Sequence, residues 1–223
     1  MTRPNLLAPA AGHGILGPQT KGLSVTDLRD FPFPTQHRVR PDAPAASLCV
    51  YCGSRTGNSP AYAEMARELG ERLAHQGITL VYGGGSIGMM GVIANACLDA
   101  GGQVTGIIPD FLDRLEVGHT GLTERVVVSG MHERKRVMIE RADAFAALPG
   151  GLGTLDELAE AITWRQLALH AKPVYLLGDA DFWQPFVALI DHFRDTGFAH
   201  ETAHSLFTRV PDIDTLMGHL THG

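Results

Sequence analysis

The stretch Leu148-Pro149-Gly150-Gly151-Leu152-Gly153-Thr154-Leu155-Asp156-Glu157 constrains this chain more than any other. The apolar run Ala144-Phe145-Ala146-Ala147 enters it through Leu148 and reads as a short buried strand. Three glycines follow, and then an apolar-periodic run from near Thr154 to about Leu169. The order is strand, glycine turn, helix. Backbone N–H groups in such a turn reach an anion with no Cβ in the way. The helix that starts there aims its positive end at the same point. The stretch is read as a phosphate cradle with a carboxylate, Glu157, one turn inside. It lacks the lysine of a P-loop, so a monophosphate fits better than a triphosphate with magnesium.

The remaining elements repeat this alternation. Strands are expected at Leu48–Tyr51, Ile78–Tyr82, Val104–Ile108, Val126–Val128 and Pro173–Leu177. Helices are expected from Ser59-Pro60, from about Met89 to Ala100, from about His132 to Arg141 and from Asp181 to Asp195, with a last short one near Pro211-Asp212. Proline directly after Ser59 suits the first helical position, and Gly77 suits the stop. Short apolar strands alternating with helices predict an α/β fold, a doubly wound parallel sheet with helices on both faces. Ligands then bind outside the carboxyl ends of the strands, where both glycine turns and the polar turn after Tyr51 would lie.

Residues 1–46 differ from the rest. Pro4, Pro9, Pro18, Pro32, Pro34, Pro41 and Pro44, seven of the thirteen prolines, fall there, and no period holds. The expectation is one domain over 47–223 behind a flexible or loosely docked N-terminal extension. No run of about 18 apolar residues exists, so no membrane span is expected. The first residues lack the apolar stretch of a signal peptide, which points to the cytoplasm. A net charge of −6 argues against a nucleic-acid partner. Cys49 and Cys52 form a C-x-x-C without a second pair, and with Cys97 they read as buried reduced thiols. His132 has no partner at metal spacing, so no metal is expected.

Several motifs carry two readings. Gly83-x-Gly85-x-x-Gly88 fits the dinucleotide fingerprint, with Asp110 after the next strand, and would serve an NAD-dependent oxidoreductase; it also fits a tight turn packed on the sheet. Thr154-x-x-Glu157 fits a capping box, which would make Glu157 a helix-closing residue; Glu157 equally suits a carboxylate facing a sugar where positive charge develops. Met131-His132-Glu133-Arg134-Lys135-Arg136 is either a solvated charged face or a source of an arginine clamp at the sheet edge. Met138 and Trp164 read as core. Lys21, Lys135 and Lys172 are the only lysines, and nothing around them supports a pyridoxal Schiff base.

Taken together, Tyr82-Gly83-Gly84-Gly85 with Gly88 and Met90-Gly91, Met131-His132-Glu133-Arg134-Lys135, and Pro149 through Glu157 resemble the Lonely Guy (LOG) family of cytokinin riboside 5′-monophosphate phosphoribohydrolases, often labelled lysine decarboxylases. The resemblance spans roughly Leu48 to Phe198. Met89 stands where the family usually has leucine, and Arg55 where a second serine is common after Cys52-Gly53-Ser54. The resemblance implies a Rossmann-like sheet and hydrolysis of the N-glycosidic bond of an N6-substituted AMP, or of AMP, to free base and ribose 5-phosphate. It implies Arg134 and Glu157 as the catalytic pair. Glu116, Lys135, Gly150, Gly151, Leu152, Gly153, Thr154, Leu155, Asp156 and Thr163 would bind substrate, with Ser54 and Gly85 from the neighbouring turns. It implies no metal or redox cofactor and a homo-oligomer, most often a dimer. A non-catalytic nucleotide carrier using the same cradle is the alternative from another class.

Overall fold

The structure is a computed structural model that describes residues 45–115 and 118–222. The bulk of the expected extension, residues 1–44, lies outside the described residues. Ala45 and Ala46 already belong to the body. The Ala45 N–H donates to the Leu220 carbonyl, and Ala46 N–H to Asp143.

Seven strands form one parallel sheet among the described residues. In chain order these are β1 Ser47–Tyr51, β2 Thr79–Tyr82, β3 Val104–Pro109, β4 Glu124–Val128, β5 Ala144–Ala147, β6 Val174–Leu177 and β7 Thr208–Val210. The helices are α1 Pro60–His75, α2 Gly88–Asp99, the single turn α3 Asp110–Asp113, α4 Met131–Arg141, α5 Leu152–Gln166, α6 Ala180–Asp195 and α7 Ile213–His222. A 3₁₀ segment, Glu201–Leu206, precedes β7.

Spatial order is β4-β3-β2-β1-β5-β6-β7. The chain starts at the centre, winds out to β4, then returns to lay β5 on the other side of β1. The winding reverses between β1 and β5, which is where a doubly wound sheet opens a crevice at its carboxyl edge.

Period-two alternation explains the two cores. Leu48 and Val50 face one side with α1, α2 and α7. Cys49 and Tyr51 face the other with α4, α5 and α6. Both sides are covered, so β5 and β6 are apolar throughout and β1, β2 and β3 are mostly so, with Ser47, Thr79 and Thr105 the polar exceptions. Leu48, Leu80, Ile107 and Phe145 are fully buried, each contributing about 1.5–3 kcal/mol relative to exposure. Cys49 and Cys52 fall on opposite faces and are free and buried, as is Cys97. A redox pair across C-x-x-C is thereby excluded. Met138 is fully buried and Trp164 packs on the same core, as expected.

The helix starts follow local chemistry. Ser59 caps α1, its hydroxyl accepting from Ala61 N–H at 3.3 Å, with Pro60 as the first helical residue. Gly77 turns the chain out at φ 67°. Strand β7 and the 3₁₀ segment are additions to the sequence reading. Two of the three β7 residues are exposed, so that edge strand carries little apolar signal. No helix of the described residues is long and apolar enough to cross a membrane.

Candidate active site

The crevice between β1 and β5 is built from their two following turns. Gly53 N–H donates to the Pro149 carbonyl at 3.3 Å, tying the turn after β1 to the one after β5. A Cβ on Gly88, at φ 60°, would lie 2.2 Å from the Ser54 carbonyl carbon, so the third turn also packs against the first. Ser54 itself is exposed at this junction.

Helix α5 begins at Leu152, two residues earlier than its sequence suggests, with Gly151 as N-cap and no side-chain cap. Thr154 is therefore the third helical residue and Glu157 the sixth. The capping-box reading of Glu157 is corrected on that ground, because the motif needs its threonine at the cap itself. The first N–H groups of α5 have no intrahelical partner to find. Gly151 and Gly153 are exposed, and a Cβ on either would meet nothing within 4 Å. Packing inside the chain gives no reason for glycine there; an anion seated on the helix start does. Gly150 differs, since its Cβ would lie 2.1 Å from Thr154 Oγ1. Leu152 and Leu155 are exposed apolar residues beside this opening.

Arg134 comes from the start of α4 and Glu157 from α5. Arg134 Nη1 lies 3.4 Å from Glu157 Oε1, and the side chains are 9% and 10% exposed. The basic helix is thus not a uniformly solvated face. Arg134 Nε donates to the Ile107 carbonyl at 3.2 Å and Nη2 to the Gly83 carbonyl at 3.0 Å. Two of its three nitrogens are spent on the backbone ends of β3 and β2. What remains faces Glu157 and the Met131 sulfur. Such an arginine acts as a fixed positive charge beside Glu157 more than as a free phosphate clamp.

A Cβ on Gly83 would stand 1.8 Å from Arg134 Nη2. The first glycine of the fingerprint is there to let the guanidinium pass, and Gly88 is there for the Ser54 backbone. Both close approaches that a pyrophosphate would require are taken by the protein itself. Gly85 accepts from the Tyr82 hydroxyl at 3.1 Å and bridges to Gly118. Asp110 pairs with Arg114 at the start of α3.

Burial pushes the Glu157 carboxyl up to about 7. Arg134 opposes this, Asp156 adds to it, and Lys135 and Glu160 follow with smaller effects of opposite sign. A carboxylate that titrates near neutrality is suited to proton transfer. The neighbouring Cys52 thiol is held well above its ordinary value by burial, then by Glu157. It is an inert part of the floor.

Lys135 turns to the adjacent face of α5. Its Nζ lies 3.0 and 3.1 Å from the Asp156 carboxylate oxygens and 2.5 Å from Glu160 Oε2. Thr163 is six residues past Glu157, about 9 Å further along the helix. It is exposed, and its hydroxyl donates to the Ala159 carbonyl at 2.7 Å. Within one chain it does not join the pair. Glu116 lies outside the described residues. A cavity of about 550 Å³ lined by Ser86, Asp113, Gly118, His119, Thr120 and Arg125 adjoins the Gly85 turn, and neither Arg134 nor Glu157 lines it. Among the described residues no group of three His, Cys, Asp or Glu side chains is placed to hold a metal.

Glu160 was absent from the sequence reading. Its signal was the i,i+4 spacing from Asp156 on a helix opposite a basic one.

A family model described as "Possible lysine decarboxylase" matches residues 90–220. The cytokinin riboside 5′-monophosphate phosphoribohydrolase LOG of Oryza sativa subsp. japonica is 50% identical over 164 residues, covering 74% of this chain and 68% of its own. A cytokinin riboside 5′-monophosphate phosphoribohydrolase of Rhodococcoides fascians is 43% identical over 169 residues, 75% of this chain and 85% of its own. Among solved structures, the molybdenum cofactor binding protein of Rippkaea orientalis superposes with a TM-score of 0.59 at 22% identity, over 78% of this chain and 93% of that one. The Moco carrier protein of Chlamydomonas reinhardtii gives 0.58 at 23%, over 79% and 94%. At such identities those two share the fold alone. The matched segment contains α4 and α5, and on the strength of these matches the chain belongs to the Lonely Guy (LOG) family of cytokinin riboside 5′-monophosphate phosphoribohydrolases.

Proposed function

We propose that this protein hydrolyses the N-glycosidic bond of a nucleoside 5′-monophosphate, either an N6-substituted AMP or AMP itself, to free base and ribose 5-phosphate. The observation that carries the reading is the buried Arg134–Glu157 pair beside an uncapped helix start where Gly151 and Gly153 have no internal packing role. The relatives' names supply the substrate class.

The 5′-phosphate sits on the N–H groups at the start of α5, held by Gly150 through Thr154. Glycosidic cleavage develops positive charge on the sugar. Glu157, in its ionised form, stabilises that charge and takes a proton from the attacking water as the C1′–N bond breaks, and the departing base takes up a proton from solvent. Arg134 keeps Glu157 oriented and favours its ionised form against the desolvation around it. Asp156 and Lys135 flank the ribose and phosphate, with Leu155 beside them. Ser54 and Gly85 border the site from the neighbouring turns, and Glu116 is a further substrate-binding residue implied by the family resemblance. Fixing the phosphate remotely from the reacting bond holds the sugar in place and is worth several kcal/mol, roughly 7–11 at the limit.

The working form is a homodimer. Thr163 belongs to the substrate contacts only if a second copy approaches the outer face of α5, and Leu155 and Leu167 give that face exposed apolar area. The three unpaired thiols fit a cytoplasmic protein. The catalytic domain takes in Ala45 and Ala46 as well, two residues before the expected start at 47.

The test is direct. The protein is incubated with isopentenyl-AMP and with AMP, and free base is followed by chromatography. Release well above a Glu157→Ala control is expected; its absence with both substrates ends the proposal.

A further inference from the structure

Lys135 is held by two carboxylates of unequal character. Asp156 has a side chain 57% exposed, at the mouth of the site, while Glu160 is 21% exposed and lies one helical turn deeper. The Lys135 side chain is 12% exposed, so its ammonium is largely withdrawn from water and depends on protein partners. Its distances to Asp156, 3.0 and 3.1 Å, satisfy hydrogen bonds. Glu160 Oε2 is buried and stands closer, at 2.5 Å, with the Lys135 ammonium as its ion-pair partner. A buried carboxylate is costly unless a partner takes it up, and here that partner is the ammonium.

The proposed substrate engages Asp156 and Lys135 together, and an acidic side chain beside an incoming phosphate must turn away from it or towards a ribose hydroxyl. Either motion withdraws Asp156 from the lysine. The buried Glu160 oxygen, already 2.5 Å from the ammonium, is the partner left to hold it in place.

We infer that Glu160 is a positioning residue: it anchors Lys135 from beneath, independently of Asp156, so that the ammonium stays at the phosphate side of the site when Asp156 turns to substrate. The inference rests on the hydrolase reading for its catalytic consequence, and on geometry alone for the anchoring. Glu160 touches neither substrate nor the reacting atoms. Its effect passes through Lys135.

The chain's lysine content makes the anchoring measurable without any turnover. Only Lys21, Lys135 and Lys172 occur, so ¹³Cε-lysine NMR gives at most three signals, and Lys135→Met assigns the relevant one. Burial lowers the Lys135 ammonium's pKa, but Glu160 first and Asp156 second outweigh it and hold the group above its ordinary value. In Glu160→Gln the Lys135 signal is expected to move toward that of a free lysine and to titrate lower. In Asp156→Asn it stays dispersed. The reverse pattern, collapse in Asp156→Asn and an unchanged signal in Glu160→Gln, overturns the proposal.

Kinetics supply the second arm. Glu160→Gln is expected to raise KM for AMP or isopentenyl-AMP about tenfold, with a smaller change in kcat, and to cost nothing further on a Lys135→Met background. An equal cost on both backgrounds assigns Glu160 a role unrelated to Lys135 and overturns the inference. If the wild-type protein releases no base at all, the hydrolase reading falls, and the lysine titration still decides whether Glu160 is the anchor.

Discussion

Arg134 reaches Glu157 across the carboxyl edge of the sheet, Nη1 to Oε1 at 3.4 Å, while its other two nitrogens hold the carbonyls of Ile107 and Gly83. One side chain thus fixes the ends of β2 and β3 relative to the glutamate on α5. The charge is held in position before substrate arrives, and no reorganisation is needed when positive charge develops on the sugar.

Removing either member of this pair is expected to be severe, and removing both little worse than one. Glu157→Gln should lower kcat by about 10²–10⁴. Arg134→Lys cannot span two carbonyls and a carboxylate, and is expected to fall in a similar range. Steady-state rates for the two variants and the double variant check this. Additive losses would show that the two residues act separately.

Stability should carry the signature of Glu157 burial. Its folded pKa is raised from 4.5 to about 7. Between those values the folded chain keeps a proton that the unfolded chain has released, so stability falls as pH rises through that window. At higher pH the accumulated cost is about 3 kcal/mol. Glu157→Gln has no such slope. Its melting temperature minus that of wild type is expected to increase from about pH 5 to about pH 8. A difference that stays flat or declines contradicts the burial argument.

The rate should follow the same group. With Glu157 working as the ionised base, kcat/KM is expected to drop as pH falls through about 7. A profile on AMP, with Glu157→Asp as the comparison, measures it. An acid limb near the ordinary carboxylate range of about 4 would place the titrating group elsewhere.

Two glycines should separate folding from binding. A Cβ at Gly83 displaces the Arg134 guanidinium, 1.8 Å away. Gly83→Ala is expected to lose about 100-fold in kcat, the scale for a misplaced catalytic group. At Gly151 a Cβ meets no protein atom within 4 Å. Gly151→Ala should cost about 1 kcal/mol of stability or less and raise KM for the phosphorylated substrate. If Gly151→Ala leaves KM untouched, the cradle does not seat the phosphate there.

Lys172 is the buried lysine that a decarboxylase label would draw attention to. Its Nζ donates to the Ile139 carbonyl at 2.7 Å, near the end of α4. Burial lowers its pKa, with Asp143 opposing. Lys172→Met should destabilise the fold by about 1–3 kcal/mol and leave base release intact. Thermal melts and the chromatographic assay distinguish this structural role from a catalytic one.

The layout of the fold was legible because buried parallel strands are short apolar runs and their helices carry strong punctuation, as at Ser59-Pro60 and Gly77. The edge strand Thr208–Val210 was not, since an edge strand buries one residue in three here and has no pattern to read. The start of α5 was misplaced for a different reason. Glycine at a cap leaves no side-chain signature, so Thr154 drew the boundary two residues late and lent Glu157 a capping role it does not have.

Arg134 as the partner of Glu157 was implied by the family resemblance, while residues alone supplied the α/β alternation, the glycine turn before α5, the absence of a P-loop lysine and Glu157 as a carboxylate beside the cradle. Those follow from local rules: backbone sterics, period and turn chemistry act within a few neighbours. Only the tertiary structure decided that Arg134 is spent on two backbone carbonyls, that Gly83 is small to admit it, and that Lys135 stands between Asp156 and Glu160. Each depends on where separate strands end in space, and burial, which moves the Glu157 proton toward neutral pH, exists only once those ends have met.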